Sequence, residues 1–214
     1  MDRLNKVILI GGSHHNGLGL VRTFGINGIN PYGIIIGKKS EKSFLHQSKY
    51  WKKTWCVFSP KEALQILQEE FKNEEKKPVV IPWSDDMAEV IDKNLNNLSE
   101  KFILPSFSNI QGKIVELMDK QNQSEFASKY GIQMLESQII EEFNLIENIK
   151  IPYPRILKPV ASVEGEKLDI AICNNEEEFI KALQKIKKTG YKRILIQQYL
   201  GERKEYVLTG LFLL

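Results

Sequence analysis

The chain has 214 residues, 42% hydrophobic and 27% charged, with 30 basic and 27 acidic side chains and a formal net charge of +3. That length fits one large domain or two small ones, and so even a charge balance does not point to nucleic acid, whose binders usually concentrate basic charge on one face, so no nucleic-acid partner is expected. Cys56 and Cys173 are too few for a disulfide scaffold or a zinc site, so we expect a reducing, cytoplasmic setting.

Residues 7–10 form a short apolar run that ends at Gly11 and Gly12, the pattern of a buried parallel strand feeding a tight turn. The run is too short for a signal peptide or a membrane span, so no membrane partner is expected. Leu18, Leu20, Val21 and Phe24 then keep a helical rhythm, and residues 32–36 are a second buried run between Pro31 and Gly37. Strand, glycine turn, helix and strand predict a βαβ unit. The turn matches no phosphate motif. Leu18 and Gly19 stand where a P-loop needs Lys and Ser or Thr, and Arg22 stands where a dinucleotide loop needs Gly or Ala. A glycine turn at the carboxyl end of a first strand is nonetheless a common ligand position. Ser13, His14 and Arg22 are therefore candidate substrate contacts, against a tight turn with solvated histidines; His14 and His15 receive no catalytic role.

Lys52, Lys53, Lys187 and Lys188 read as solvated surface. Ser59, Pro60 and Glu62 mark a helix start, and that helix continues through Leu64, Leu67 and Phe71. Residues 78–81 are another buried strand, Ser84, Asp85 and Asp86 cap a helix carrying Val90 and Ile91, and Ile103 and Leu104 make a last short strand before Pro105. This alternation predicts a parallel α/β domain to about residue 108.

Asp119 caps a helix that runs to about Tyr130 and stops at Gly131. Lys120 falls in its first turn, where a cation opposes the helix dipole by roughly a few tenths of a kcal/mol, a hint of another role. From Ser137 the texture changes. Residues 155–158, 168–172, 194–199 and 205–214 read as strands, interrupted by one helix with Asn175 as cap, Glu178 as its partner and Phe179, Ala182, Leu183 and Ile186 facing inward. This is an α+β unit. Between its first two strands residues 160–166 form a small-residue loop, fit either to bend over phosphates through backbone N–H groups or to make a hairpin turn.

Three places together resemble the ATP-grasp superfamily. Met118, Asp119 and Lys120 lead a helix that closes with Tyr130 and Gly131. Pro154 through Lys158 and Pro159 are followed by Ser162, Glu164 and Gly165. Gln197, Gln198, Leu200 and Gly201 are followed by Glu205. Upstream, Ser48 through Trp51, Pro82 through Asp86 and Leu98 through Pro105 are similar to the carboxylate–amine ligase and carbamoyl-phosphate-synthase-like branch. The resemblance implies an α/β fold: a parallel-sheet, Rossmann-like pre-ATP-grasp domain over residues 1–108, a linking helical segment over 109–135, and the first, lid subdomain of an ATP-grasp fold over 136–214. It implies ATP phosphate contacts for Lys120 and Lys158, and a closing loop carrying Ser162, Glu164 and Gly165. It also implies adenine contacts for Gln197 and for the backbone of Gln198 and Leu200, and ribose contacts for Glu205. The activity implied is formation of an acyl phosphate with ATP and its coupling to an amine, with small-molecule acid and amine substrates; self-association into a homo-oligomer stays open.

Where members of the superfamily bind Mg²⁺ through later Asp, Glu and Asn residues, this sequence has no acid or amide after Glu205. We therefore expect the metal ligands and the second lobe to lie outside this chain, as in a truncated or split ligase. A non-catalytic nucleotide-binding remnant or scaffold is the alternative. A Rossmann-like oxidoreductase is disfavoured by the unmet glycine fingerprint.

Overall fold

The computed structural model describes residues 5–141, 149–160, 170–188 and 193–201. The chain forms two compact units, Met1–Met118 and Asp119–Leu214.

In the first unit, β1 (Val7–Gly12), β2 (Tyr32–Ile36), β3 (Lys53–Val57) and β4 (Val79–Pro82) make a parallel sheet in the order β3-β2-β1-β4. Parallel strands need crossovers: α1 (His15–Ile26) carries the chain from β1 to β2, and α2 (Pro60–Glu70) carries it from β3 across to β4. α3 (Asp85–Lys93), α4 (Leu95–Leu98) and α5 (Lys113–Met118) complete the unit. β1 is apolar without alternation because both its faces are covered. Ile8 and Ile10 join Ile34, Leu67, Met87 and Ile91 on one side, while Leu9 joins Val21, Ile35, Leu45 and Trp83 on the other. α2 starts as expected: the Ser59 hydroxyl accepts the Glu62 N–H at 3.2 Å, and the Glu62 carboxylate accepts the Phe58 N–H at 3.1 Å.

Lys53 is exposed, as read, and also opens β3, its Nζ 4.2 Å above the Trp55 ring and 3.2 Å from the Glu70 carboxylate. Three other details of this unit differ. Ser84 stands at the N-cap position of α3 without capping it; its hydroxyl instead accepts the Gly12 N–H and donates to Asp86. Ile103 pairs with Val79 as an isolated bridge, not as a strand, since Pro105 brings no N–H and restricts the residue before it. Finally, the unread helix α5 is held by Asp92, whose carboxylate accepts the Val115 N–H at 2.9 Å.

In the second unit, α6 (Lys120–Lys129) precedes an antiparallel sheet of β5 (Ser137–Ile140), β6 (Arg155–Pro159), β7 (Ala171–Cys173) and β8 (Ile194–Gln198), in the order β5-β8-β6-β7. Helix α7 (Glu176–Lys187) covers one face. Its cap is the expected one: Asn175 Oδ1 accepts the Glu178 N–H at 3.0 Å, and Glu178 accepts the Asn174 N–H at 2.8 Å. Phe179, Leu183 and Ile186 pack on Ile140, Leu157, Ile194 and Ile196. β5 is a further strand, unread in the sequence. The expected strand over 205–214 lies outside the described residues. No helix among the described residues is long and apolar enough to cross a membrane.

Two glycines of α1 separate packing from flexibility. A Cβ on Gly17 would come within 2.8 Å of the Trp83 ring and 2.9 Å of Leu45, whereas one on Gly19 would meet nothing within 4 Å. Trp83 has little freedom to yield, because its indole N–H donates to the Gly12 carbonyl at 2.6 Å. We therefore expect Gly17→Ala to lower unfolding free energy by about 1–3 kcal/mol through overpacking. Gly19→Ala should raise it by about 0.5–1 kcal/mol through helix propensity. Urea denaturation of the two variants checks the opposite signs.

Candidate functional site

Register puts the candidate residues on one face of the antiparallel sheet. Ile156 stands opposite Gln197, and Lys158 opposite Leu195. Side chains alternate along a strand, so Leu157 and Ile196 point into the α7 core and Lys158 and Gln197 rise from the other face. The two are diagonal neighbours, and Lys158 Nζ donates to Gln197 Oε1 at 2.8 Å. Lys120, first residue of α6, donates from Nζ to the Val160 carbonyl at 3.0 Å. The two ammonium groups lie near enough to interact. Burial pushes the Lys158 pKa below the usual 10.5, and the charge of Lys120 pushes it further the same way. A lysine at a helix start, tied to the Val160 carbonyl, thus lies within charge range of a strand lysine that donates to Gln197.

The adenine-side residues are more constrained than expected. The Gln198 N–H donates to the Glu136 carbonyl at 3.0 Å, which leaves the carbonyl as its backbone contribution. The Tyr199 N–H donates to the Pro154 carbonyl at 2.9 Å, fixing the end of β8 against the turn that starts β6. Leu200 is 40% exposed. Ser162, Glu164, Gly165 and Glu205 lie outside the described residues.

The candidates of the first unit are not gathered into one place. Ser13 and His14 adjoin the carboxyl end of β1, where the Ser13 N–H donates to the Ile36 carbonyl at 3.1 Å and His14 is the N-cap of α1. Arg22 is exposed and two turns along α1, about 12 Å of helix rise from His14. The turn itself is closed from behind: Trp83 takes the Gly12 carbonyl, and Ser84 takes its N–H at 3.3 Å.

Sequence reasoning missed three polar groupings. Arg193, just before β8, reaches Asp119 Oδ2 at 3.0 Å with Nη1 and Gln121 Oε1 at 3.4 Å with Nη2. Arg155, 6% exposed on the core face of β6, lies 3.7 Å from the Phe179 ring and 4.0 Å from the Tyr153 ring and donates to the Ile151 carbonyl and the Tyr153 hydroxyl. In the first unit His46 Nδ1 meets Thr54 Oγ1 at 3.0 Å and Cys56 Sγ at 3.6 Å. The only local signal for any of these was Arg155, a cation inside an apolar strand.

No family model matches the chain. In a 147-residue alignment that takes in 63% of the chain, it is 29% identical to a D-aspartate ligase of Enterococcus faecium strain Aus0004, of which 34% is covered. The fold matches an L-amino acid ligase of Bacillus licheniformis with a TM-score of 0.63 at 15% identity, over 91% of this chain and 44% of that one. It also matches the biotin carboxylase domain of a 2-oxoglutarate carboxylase from Hydrogenobacter thermophilus, solved with MgADP and bicarbonate. That match has a TM-score of 0.60 at 18% identity, over 93% of this chain and 45% of that one. The chain therefore spans less than half the length of each of these three proteins. Over the residues it spans, the chain shares the fold of these ATP-grasp enzymes, a parallel α/β unit followed by an antiparallel sheet, and it is similar in sequence to the D-aspartate ligase.

The depressed Lys158 pKa has a signed consequence. Below its folded pKa, charged Lys158 costs stability relative to the unfolded chain, and the cost fades as pH rises toward 10.5. Lys120→Met removes one of the two causes, so the Lys158 pKa should move part of the way back up. Lysine side-chain ¹³C NMR across pH reads it; a Lys158 pKa indifferent to the substitution would mean that the two charges do not meet.

Proposed function

We propose that this chain is the ATP-binding part of a ligase that activates a carboxylate as an acyl phosphate and couples it to an amine. The observation that carries the reading is Lys158 paired with Gln197 on the face of the antiparallel sheet opposite α7, with Lys120, held by the Val160 carbonyl, within charge range of it. The relationship to a D-aspartate ligase and the fold shared with an L-amino acid ligase support the reaction class. We assign residues 1–108 to the substrate side, 109–135 to the link and 136–214 to the first ATP-grasp subdomain.

In this reading a carboxylate oxygen of the acid attacks the γ-phosphorus, the bond to the bridging oxygen breaks, and ADP leaves with the electron pair. The amine then attacks the acyl carbon and expels inorganic phosphate. Lys120 and Lys158 hold phosphate oxygens and offset their charge, the task for which a compact ammonium suits. Binding exchanges partners. Lys120 gives up the Val160 carbonyl, and Lys158 gives up Gln197, whose freed Oε1 then accepts from the adenine amino group. The Gln198 carbonyl and the Leu200 N–H flank the ring edge, Glu205 takes the ribose hydroxyls, and the segment with Ser162, Glu164 and Gly165 covers the phosphates. Among the described residues there is no cluster of three or more His, Cys, Asp or Glu that could hold a metal ion, so Mg²⁺ is assigned no ligand and no step here. Ser13 and His14 stay as candidate contacts for the acid. Arg22 is too far along α1 to share one small contact with them.

Calorimetric titration with ATP tests the reading. Loss of one hydrogen bond to a charged group costs about 1.5–3 kcal/mol, so Lys158→Ala and Lys120→Ala should each weaken ATP binding by about ten- to a hundredfold. Full-strength binding by both variants, or no binding by the parent chain, would sink the proposal.

A further inference from the structure

We infer that Arg193 is a positioning residue for Lys120, acting through Asp119; the inference rests on the nucleotide reading above. Three observations carry it.

Asp119 divides its carboxylate. Oδ1 caps α6 by accepting the Gln121 N–H at 2.8 Å and the Asn122 N–H at 3.2 Å, while Oδ2 accepts from Arg193 at 3.0 Å. Arg193 is in turn oriented from its other side. Its Nε lies 3.4 Å from Glu141 Oε1, within ion-pair range though outside hydrogen-bond geometry, and its Nη2 reaches Gln121.

The tethers also share one place. Pro159 stands opposite Ile194, so Val160 and Arg193 leave the same end of the β6–β8 pair. Consecutive residues of the α6 start are tied there, Asp119 to Arg193 and Lys120 to Val160.

The two tethers differ in chemistry. An anion competes with only a neutral carbonyl for the Lys120 ammonium, whereas at Arg193 it meets a guanidinium that already holds the Asp119 carboxylate. When a phosphate takes Lys120, the Arg193 tether still fixes the helix start and therefore where that lysine can reach. A part-exposed ion pair adds little to global stability, so its consequence is placement of a flexible four-carbon side chain, which matters to charge contacts at about the ångström level.

The test uses the full chain with Arg193→Met, Arg193→Lys and Lys120→Met. Acylation of lysines by isotopically coded acetic anhydride, read by mass spectrometry, reports the placement of each amine without nucleotide. Arg193→Met should raise the Lys120 rate severalfold with Lys158 much less affected, and Arg193→Lys should return it toward the parent value. In titrations, Arg193→Met should weaken ATP by about tenfold, the size of one charged hydrogen bond, and adenosine by less than about twofold. In the Lys120→Met background the Arg193 effect on ATP should vanish. The inference is overturned by an unchanged Lys120 rate, by an equal rise at every lysine, by ATP and adenosine weakening alike, or by an undiminished effect without Lys120. A parent chain that binds no ATP would sink the nucleotide reading, while the labelling rates would still decide whether Arg193 positions Lys120.

Discussion

The structure of the second unit turns on one electrostatic constraint: a part-buried lysine on a sheet face lies within charge range of a second lysine at the start of α6. Burial and a like charge both disfavour the charged Lys158, and its hydrogen-bond partner is the neutral amide of Gln197. A site of that kind gains most from a ligand that brings several negative charges at once. The strain is held in place by the opposite face, where α7 seals Leu157, Ile194 and Ile196. Register makes the two faces interdependent. A slip of one residue in β6 would turn Lys158 into the apolar core and expose Leu157, so burial of the core is also what aims the lysine.

How much of this was legible depends on whether the cause is local. The α2 and α7 caps were, because each needs only a Ser or Asn with a Glu three residues on. β1 and β2 were, as unbroken apolar runs with both faces covered. Lys120 was legible as an anomaly, a cation placed against the dipole of its own helix. β3 was hidden by its lysine, which joins the sheet by lying on Trp55. β5 was hidden because a short strand shows its pattern only against its partner β8. Arg193 and Asp119 are 74 residues apart; no local pattern signals such a pair, and only the fold of the second unit brings them together.

The glycine turn after β1 shows the same limit from the other side. Gly11, Gly12, Gly17 and Gly19 look alike in sequence, yet they do different things. Gly17 makes room for Trp83 and Leu45, and Gly19 faces open space. Both polar backbone groups of Gly12 are taken by Trp83 and Ser84, more than seventy residues later. The failed phosphate motifs and this closure agree that the turn is built around packing.

The most direct measurement is an amide chemical-shift map of the isotopically labelled chain titrated with ATP. With the phosphates on Lys120 and Lys158, the largest shifts should fall at residues 158, 160 and 197–200 and at the start of α6. The amides of residues 12–16 should stay in place. Shifts confined to the turn after β1, with β6 and β8 unmoved, would contradict that assignment and place the nucleotide in the first unit instead.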